Sequence, residues 1–597
     1  MDTMTVRIDS PETVAAAFDR VRRERPDQPL LSYVRDDGSD EVTYTAGQLG
    51  DQADRVVAEL RGRGLQPGDR ALLVHLPSPD FAVTLLGCLA AGVVPVPAAP
   101  PNPFTMRHDL EAFTAIAASS GARAVLTHGA YDRIRTTVGA GQLWPALPWY
   151  RTDRDRPEAD RDRTWHQPST LDEPALLTYT SGSTGSPRGV LVSHRNLHCE
   201  LAQNVVDTDL RGSDTRAVSW LPHFHDQGLI SMTLGALVGS GHVYTMSPMA
   251  FLHRPTVWLD VVSRIRATHT AAPNFAYDLI VRKTTEQQRE SWDLSALRVA
   301  MCAAEPIRAS TVDSFVKAFA VSGLAPHAFY PAYGLAEHAG SVTMGGGSVI
   351  RVDRDALDGN WVVPVAEGSV TRSARYVGCG PVTKPGTTML IVDPETRLPC
   401  EPNRVGEIWV DGPSKALGYY ELPDETAETF RARLADSVDD PGADGEFLRT
   451  GDLGFRHDGE LFVTGRLKDL IIVHGLNHYP QDIEDSVRGC HAAVRAGGVA
   501  AFAVTTGEDE PTGERLVLFV ELRQRRPSEA VIDEVVRAVR RAVYGDHRLA
   551  CHTVVLGLNG LVRKTTSGKV RRQACREAFE SGLVHGEPTT VTVSTLH

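Results

Sequence analysis

No Cys-x-x-Cys pair and no Cys/His cluster at zinc spacing occurs in these 597 residues; the eight cysteines, at 88, 199, 302, 379, 400, 490, 551 and 575, are scattered. That excludes a zinc module and a disulfide framework, and predicts reduced thiols in a cytoplasmic enzyme. Long hydrophobic runs are missing too. The longest, Leu85 to Val94, is broken by Pro95, Pro97, Pro100 and Pro101, so it predicts a buried helix, a strand and a proline-rich turn rather than a membrane span. The opening Met1 to Arg7 lacks the cationic start and apolar stretch of a secretory signal. Positive charge is in deficit, with a formal net charge of −13, which argues against nonspecific nucleic-acid binding. What is present is the balance of an ordinary globular protein, 42% hydrophobic and 23% charged, on a chain long enough for several structural units. No internal repeat is found.

Against that background one segment stands out. Thr180-Ser181-Gly182-Ser183-Thr184-Gly185-Ser186-Pro187-Arg188-Gly189 packs five hydroxyls, three glycines and a cation into ten residues. Small residues let backbone N–H groups approach an anion, hydroxyls add donors, and Arg188 can make charge-assisted hydrogen bonds to phosphate oxygens. Ala175–Tyr179 and Gly189–Val192 are short apolar runs of strand type, so the loop is expected to join two strands. A Walker-type loop needs a Gly-Lys-Ser/Thr ending and a following helix. Both are missing, which disfavours a kinase or GTPase. A Ser/Gly linker is disfavoured as well, since linkers are rarely bracketed by apolar strands.

The remaining pattern predicts an α/β protein. Ser10-Pro11 reads as the cap and first position of a helix through Val14, Ala17, Phe18 and Val21. To about residue 465, helical patterns alternate with short β-branched runs such as Arg70–Val74 and Ala124–Thr127, implying largely parallel sheets. Closer-spaced strands from about Gly406 predict a small β unit. The domains expected are 1–467, a large N-terminal domain of packed mixed sheets with helices; 468–582, a small mobile α+β domain; and 583–597, a frayed tail.

Other segments carry candidate chemistry. Tyr333-Gly334-Leu335-Ala336-Glu337 sets an aromatic face four residues before a carboxylate, suited to a base and to Mg²⁺ beside phosphates, although core packing explains Tyr333 equally well. Asp452, in Thr450–Gly454, can accept from both hydroxyls of a ribose diol or simply shape a turn. Gly465–Asp469 adds Arg466 and Lys468. Near the C-terminus, Lys564–Arg572 leads hydroxyls and a glycine into Lys569, either a solvated basic turn or a cation able to neutralise charge developing at a carboxylate and a phosphate.

Taken together, Thr180–Gly189, Tyr333–Glu337, Thr450–Asp452, Gly465–Asp469 and Ser567–Lys569 resemble, in order and over nearly the whole chain, the core motifs of the adenylate-forming enzymes. Ser219–Ile230, Met246–Leu252, Pro273–Asp278 and Ala304-Glu305-Pro306 are similar to the fatty acyl-AMP ligases within that superfamily. The resemblance implies ATP-dependent conversion of a fatty or related carboxylic acid to acyl-AMP, with transfer to the phosphopantetheine thiol of an acyl carrier protein of a polyketide or nonribosomal peptide pathway. It implies Mg²⁺ as cofactor and ATP as co-substrate. It assigns Thr180, Ser181, Gly182, Ser183, Thr184, Gly185 and Arg188 to phosphates, Ala303, Ala304, Glu305, Tyr333 and Gly334 to the nucleotide, and Asp452 and Arg466 to ribose. Glu337 with Thr184 would hold the metal, Lys569 would be the catalytic lysine and Lys468 the hinge. His225 would stand at the junction of acyl and thiol sites. Members of this group carry an insertion that restrains the small domain and disfavours coenzyme A, expected here at about Val349–Arg375.

The chain departs from the pattern at Arg188, where lysine is usual, at Gln227 for methionine, at Ala272 and Ala303 for glycine and at Arg563 for proline. A fatty acyl-CoA ligase and a catalytically silent nucleotide-binding scaffold are the rival readings. Between 521 and 580 there are 13 Lys/Arg against 7 Asp/Glu, which makes Arg523, Arg525, Arg526, Arg537, Arg540 and Arg541 either a docking face for an acidic carrier or solvated helix charge.

Overall fold

The structure is a computed structural model describing residues 10–103, 106–138, 144–153, 164–180, 187–366, 368–435, 445–473, 475–505, 514–565, 568–585 and 589–595. Its class is α/β. The largest sheet has eight strands, in the order Gly340–Met344, Phe329–Leu335, Val299–Cys302, His269–Ala272, Arg216–Ser219, His242–Met246, Pro29–Val34 and Asp40–Thr45. Its interior pairs are parallel and only the two edge strands run antiparallel. Burial on both faces explains runs such as Val299–Cys302, buried at every position. A second, all-parallel sheet holds Val94–Pro97, Arg70–Leu73, Ala124–Thr127 and Trp149–Arg151. The apolar stretch before the prolines is the helix Pro79–Ala91, buried at every position from Phe81 to Ala91. With Val14–Glu24, Ala46–Gly62 and His194–Thr208 it helps fill the main core.

Two local expectations are corrected. Ser10-Pro11 does not open the first helix, which runs Val14–Glu24. Thr13 is its cap because its hydroxyl, three residues before Ala16, accepts that orphan amide at 3.0 Å. The segment from 583 is not a frayed tail throughout. Leu583–His585 forms a 3₁₀ turn, and Thr590–Thr595 pairs antiparallel with Cys551–Gly557 as an edge strand. Its Thr-Val-Thr-Val alternation satisfies backbone groups that Cys551–Gly557 would otherwise expose.

The C-terminal sheet orders Val494–Thr505, Glu514–Leu522, Cys551–Gly557 and Thr590–Thr595, with helices Pro480–Arg488, Glu529–His547 and Arg572–Glu580 packed on it. Between the large sheets and this unit lies an antiparallel sheet of Thr388–Val392, Gly406–Asp411, Leu448–His457 and Glu460–Arg466. Val349–Asp353 and Ser373–Val377 form an antiparallel pair, with the helix Arg354–Asp358 between them. Leu357, Val362 and Tyr376 from this segment share an apolar cluster with Tyr479, Phe455 and Phe462. Among the described residues, no helix is long and apolar enough to cross a membrane.

Candidate functional site

The hydroxyl-rich loop does join two strands. Pro174–Thr180 and Arg188–Ser193 form an antiparallel ladder whose last pair is Thr180 with Arg188. Ser181, Gly182, Ser183, Thr184 and Gly185 lie outside the described residues. Gly418–Tyr419 adds a third strand beside Val190 and Leu191. The Arg188 guanidinium sits over the Tyr419 ring, 5.3 Å from its centroid. The Tyr419 hydroxyl donates to Glu337 Oε1 at 2.9 Å, and burial together with Glu337 holds that phenol well above its ordinary range. The hairpin is thereby tied to the carboxylate at the end of the strand Phe329–Leu335.

Tyr333 and Gly334 lie on that strand. Tyr333 donates to Asp452 Oδ2 at 2.8 Å, and Asp452 Oδ1 pairs with Arg466 at 3.0 Å. Asp452 and Arg466 face each other because they are register partners on neighbouring strands. Gly334 is required by close approach: a Cβ there would stand 2.2 Å from the Gly340 carbonyl oxygen. Ala303, Ala304 and Glu305 follow the strand Val299–Cys302, with Ala304 in the left-handed region at φ 72°. Glu305 accepts from the Phe275 amide, and burial pushes its carboxyl up.

Lys569 reaches this cleft from the C-terminal domain. It follows Gly568 (φ 87°) in a turn closed between Thr565 N and Lys569 O at 2.8 Å, and Gly568 lies against Phe275 of the large domain. Burial, then Arg466, pulls its ammonium below the usual lysine range, while Glu305, Asp226 and Asp452 oppose that shift. His225 is held neutral, its pKa brought down to about 4 by burial and then by Lys569. Its Nδ1 accepts from the Gln227 amide at 3.4 Å. Lys468 occupies the 3₁₀ turn Leu467–Asp469, where burial, then Arg466, lowers its pKa. Two residues that the sequence reading did not single out stand here as well. Asp226 is pushed up to about 7 by burial and then by Glu337, against Lys569, and Tyr419 links Arg188 to Glu337. Adjacency to His225 was the available signal for Asp226, and the Gly418-Tyr419 pair soon after the strand Gly406–Asp411 was the signal for Tyr419. Gln227 opens an eight-residue π-helix, Gln227–Leu234, and its buried Nε2 finds no partner among the described residues.

Polar contacts tie the lysine segment to the hinge turn and seat the C-terminal domain on the large one. Arg572, three residues after Lys569, bonds Glu484 at 2.7 and 2.9 Å and Asp469 at 3.0 Å, tying the lysine segment to the Leu467–Asp469 turn. From the 349–377 segment, Arg354 donates to His547 at 2.7 Å, Tyr376 donates to Asp482 at 2.7 Å, and Asn360 Oδ1 accepts from Asn477 at 3.0 Å and Tyr479 at 3.3 Å. The cleft thus gathers oxygen acceptors, three cations and two rings from both domains, a set matched to a polyanion carrying a base and hydroxyl groups.

Comparison with known proteins shows the family. The family profile of the AMP-binding enzymes matches residues 18–420. The chain belongs to that family. Residues 468–586 of this AMP-binding enzyme match the AMP domain of the Disco-interacting protein 2-like family. It is 40% identical over 557 residues to the medium-chain-fatty-acid–[acyl-carrier-protein] ligase JamA of Moorena producens (strain JHB), covering 92% of each chain. It is 36% identical to the long-chain-fatty-acid–AMP ligase FadD26 of Mycobacterium marinum, covering 94% of this chain and 95% of that one. Among solved structures, the fatty acyl-adenylate ligase of Legionella pneumophila in complex with acyl adenylate and pyrophosphate superposes with a TM-score of 0.71 at 33% identity, covering 98% of both chains.

Proposed function

We propose that this AMP-binding enzyme activates a fatty or related carboxylic acid as acyl-AMP and delivers the acyl group to the phosphopantetheine thiol of an acyl carrier protein. The observation that carries the reading is the meeting of Lys569, from the C-terminal domain, with Arg466, Asp452, Glu305 and Asp226 in one cleft. The relatives named for acyl-carrier-protein and AMP ligation support the acid and the acceptor.

In the first step a carboxylate oxygen attacks the α-phosphorus of ATP and the bond to the β-phosphate oxygen breaks, releasing pyrophosphate. Lys569, in a site where water competes weakly, offsets the charge gathering on the reacting oxygens. The Thr180–Gly185 loop and Arg188 hold the phosphates; Ala303–Glu305, Tyr333 and Gly334 hold the base; and Asp452 and Arg466 hold the ribose. Glu337 fits a hard cation, since Tyr419 occupies only Oε1 and no described residue bonds Oε2. With Thr184 it would hold Mg²⁺, which supplies charge neutralisation at the phosphates. In the second step the carrier's thiol attacks the acyl carbonyl and AMP leaves. Neutral His225 lines that junction, and rotation about Lys468 withdraws Lys569 to admit the pantetheine arm. Eight unpaired cysteines fit a reducing cytoplasm.

The test is acid-dependent exchange of pyrophosphate into ATP over a panel of acids, followed by product analysis with a phosphopantetheinylated carrier protein and with coenzyme A. Exchange with fatty acids and preferential acyl-carrier product are expected. Rapid acyl-CoA formation would replace this reading with that of a CoA ligase, and no exchange with any acid would leave a nucleotide-binding scaffold.

A further inference from the structure

Glu200 and Lys384 form an ion pair in the interior of the large domain, with side chains 0% and 3% exposed. Such a pair gains little over apolar packing, because desolvating both charges offsets their attraction. What it does hold is informative. Glu200, on the helix His194–Thr208, accepts from the Ser341 amide at 3.0 Å and from its hydroxyl at 2.8 Å. Lys384 donates to Glu200 and to the Ser341 carbonyl oxygen, and lies 3.5 Å from Ser414 Oγ. The three protons of the ammonium therefore have three acceptors. Ser341 follows Glu337 by four residues, and Ser414 precedes Tyr419 by five. The ammonium thus bridges the two segments that present Glu337 and Tyr419 to each other. Asn196, one turn before Glu200, fixes the second segment by donating to the carbonyls of Pro413 at 2.9 Å and Lys415 at 2.8 Å. Ala416 N then donates to the Glu337 carbonyl at 3.0 Å. Gly340, at φ 139°, makes room for the carboxylate, since a Cβ there would stand 2.6 Å from Glu200 Oε1.

We infer that Glu200 and Lys384 are positioning residues that set the Glu337–Tyr419 contact and so aim the free oxygen of Glu337 at the metal of bound ATP. The pair itself touches no substrate. The inference rests on the reading of Glu337 as the metal-binding carboxylate. Losing the ammonium loosens both segments, whereas Asp452 and Arg466, register partners on two other strands, still hold the Tyr333 hydroxyl.

The experiment uses the full chain and calorimetric binding of two nucleotides, AMP without metal and a non-cleavable ATP analogue titrated with Mg²⁺, alongside thermal melting. The variants are Lys384→Met, the double variant Glu200→Gln/Lys384→Met, which leaves no buried charge unpaired, and the milder Ser414→Ala. In Lys384→Met and the double variant, AMP affinity is expected within about twofold of wild type while half-saturating Mg²⁺ rises about tenfold, the scale of a lost hydrogen bond to a charged group. Ser414→Ala is expected to move the same quantity by about threefold. An unchanged Mg²⁺ requirement in a folded double variant, or an equal loss of AMP affinity, overturns the positioning role. Should both Lys384 variants fail to fold, Ser414→Ala decides by the same criterion. Glu337→Gln is the separate control: if it leaves the Mg²⁺ requirement unchanged, the reading of Glu337 fails instead.

Discussion

Removing most of the hydrogen bonds between residues 349–377 and the C-terminal domain should convert the enzyme toward coenzyme A. The triple variant Arg354→Met, Asn360→Ala, Tyr376→Phe removes four hydrogen bonds across that boundary. His547, buried and brought down to about 2 by burial and then by Arg354, is a neutral acceptor for the guanidinium. Tyr376 donates to half-buried Asp482, and Asn360 accepts from Asn477 and Tyr479. Neutral bonds are worth about 1 kcal/mol and those involving charge about 1.5–3 kcal/mol. Because water replaces the partners when the small domain turns, a net shift of about 3 kcal/mol in its seating is a fair sum, or roughly 100-fold in the population able to accept a free thiol. The assay is the initial rate of acyl-CoA formation, with pyrophosphate exchange as a control on the first step. Exchange should change by less than about threefold while acyl-CoA formation rises by about two orders of magnitude. An unchanged acyl-CoA rate in a variant with intact exchange refutes the restraint.

Three further outcomes follow from the cleft and its boundary. Lys569→Ala should lower pyrophosphate exchange by about 10²–10³-fold while transfer from supplied acyl-adenylate changes only a few-fold; equal losses in both half-reactions would mean a general structural role. Asp452→Asn removes the charge paired with Arg466 and weakens the acceptor for Tyr333, so AMP affinity measured by calorimetry should fall by about tenfold or more. Asp358, pushed up to about 7 by burial against Arg354, stands 3.8 Å from His478. Its folded pKa lies above the unfolded value, so its contribution to stability is present below about pH 4 and lost as pH rises through about 7. Asp358→Asn should therefore gain in melting temperature relative to wild type between pH 5 and pH 8, and a constant difference across that range would contradict the assignment.

What the sequence made legible follows from local signals. The hairpin Pro174–Ser193 could be read because two apolar strands bracket a loop of small polar residues, and the buried helix Pro79–Ala91 because its apolar stretch runs up to a cluster of prolines. Thr590–Thr595 escaped because six residues alternating with period two carry a weak signal at a chain end. Tyr419 escaped because its strand has two residues and its partner lies 82 positions away. Glu200 and Lys384, 184 positions apart, carry no mark that separates them from surface charges. Only the fold reveals that both are buried.

The C-terminal domain is held against the large domain from two directions, and this bounds what the triple variant can release. On one side stand Arg354, Asn360 and Tyr376 of the large domain; on the other, Lys569 is inserted among Asp226, Glu305 and Asp452. Withdrawing Lys569 leaves Asp226 and Glu305, whose carboxyls burial already pushes up, without the cation that opposes that shift. Opening therefore carries an electrostatic cost that weakening the latch leaves untouched. That cost falls when an acid in the cleft takes up a proton, so the freed variant should form acyl-CoA more readily toward lower pH, where Asp226, with its pKa of about 7, becomes neutral.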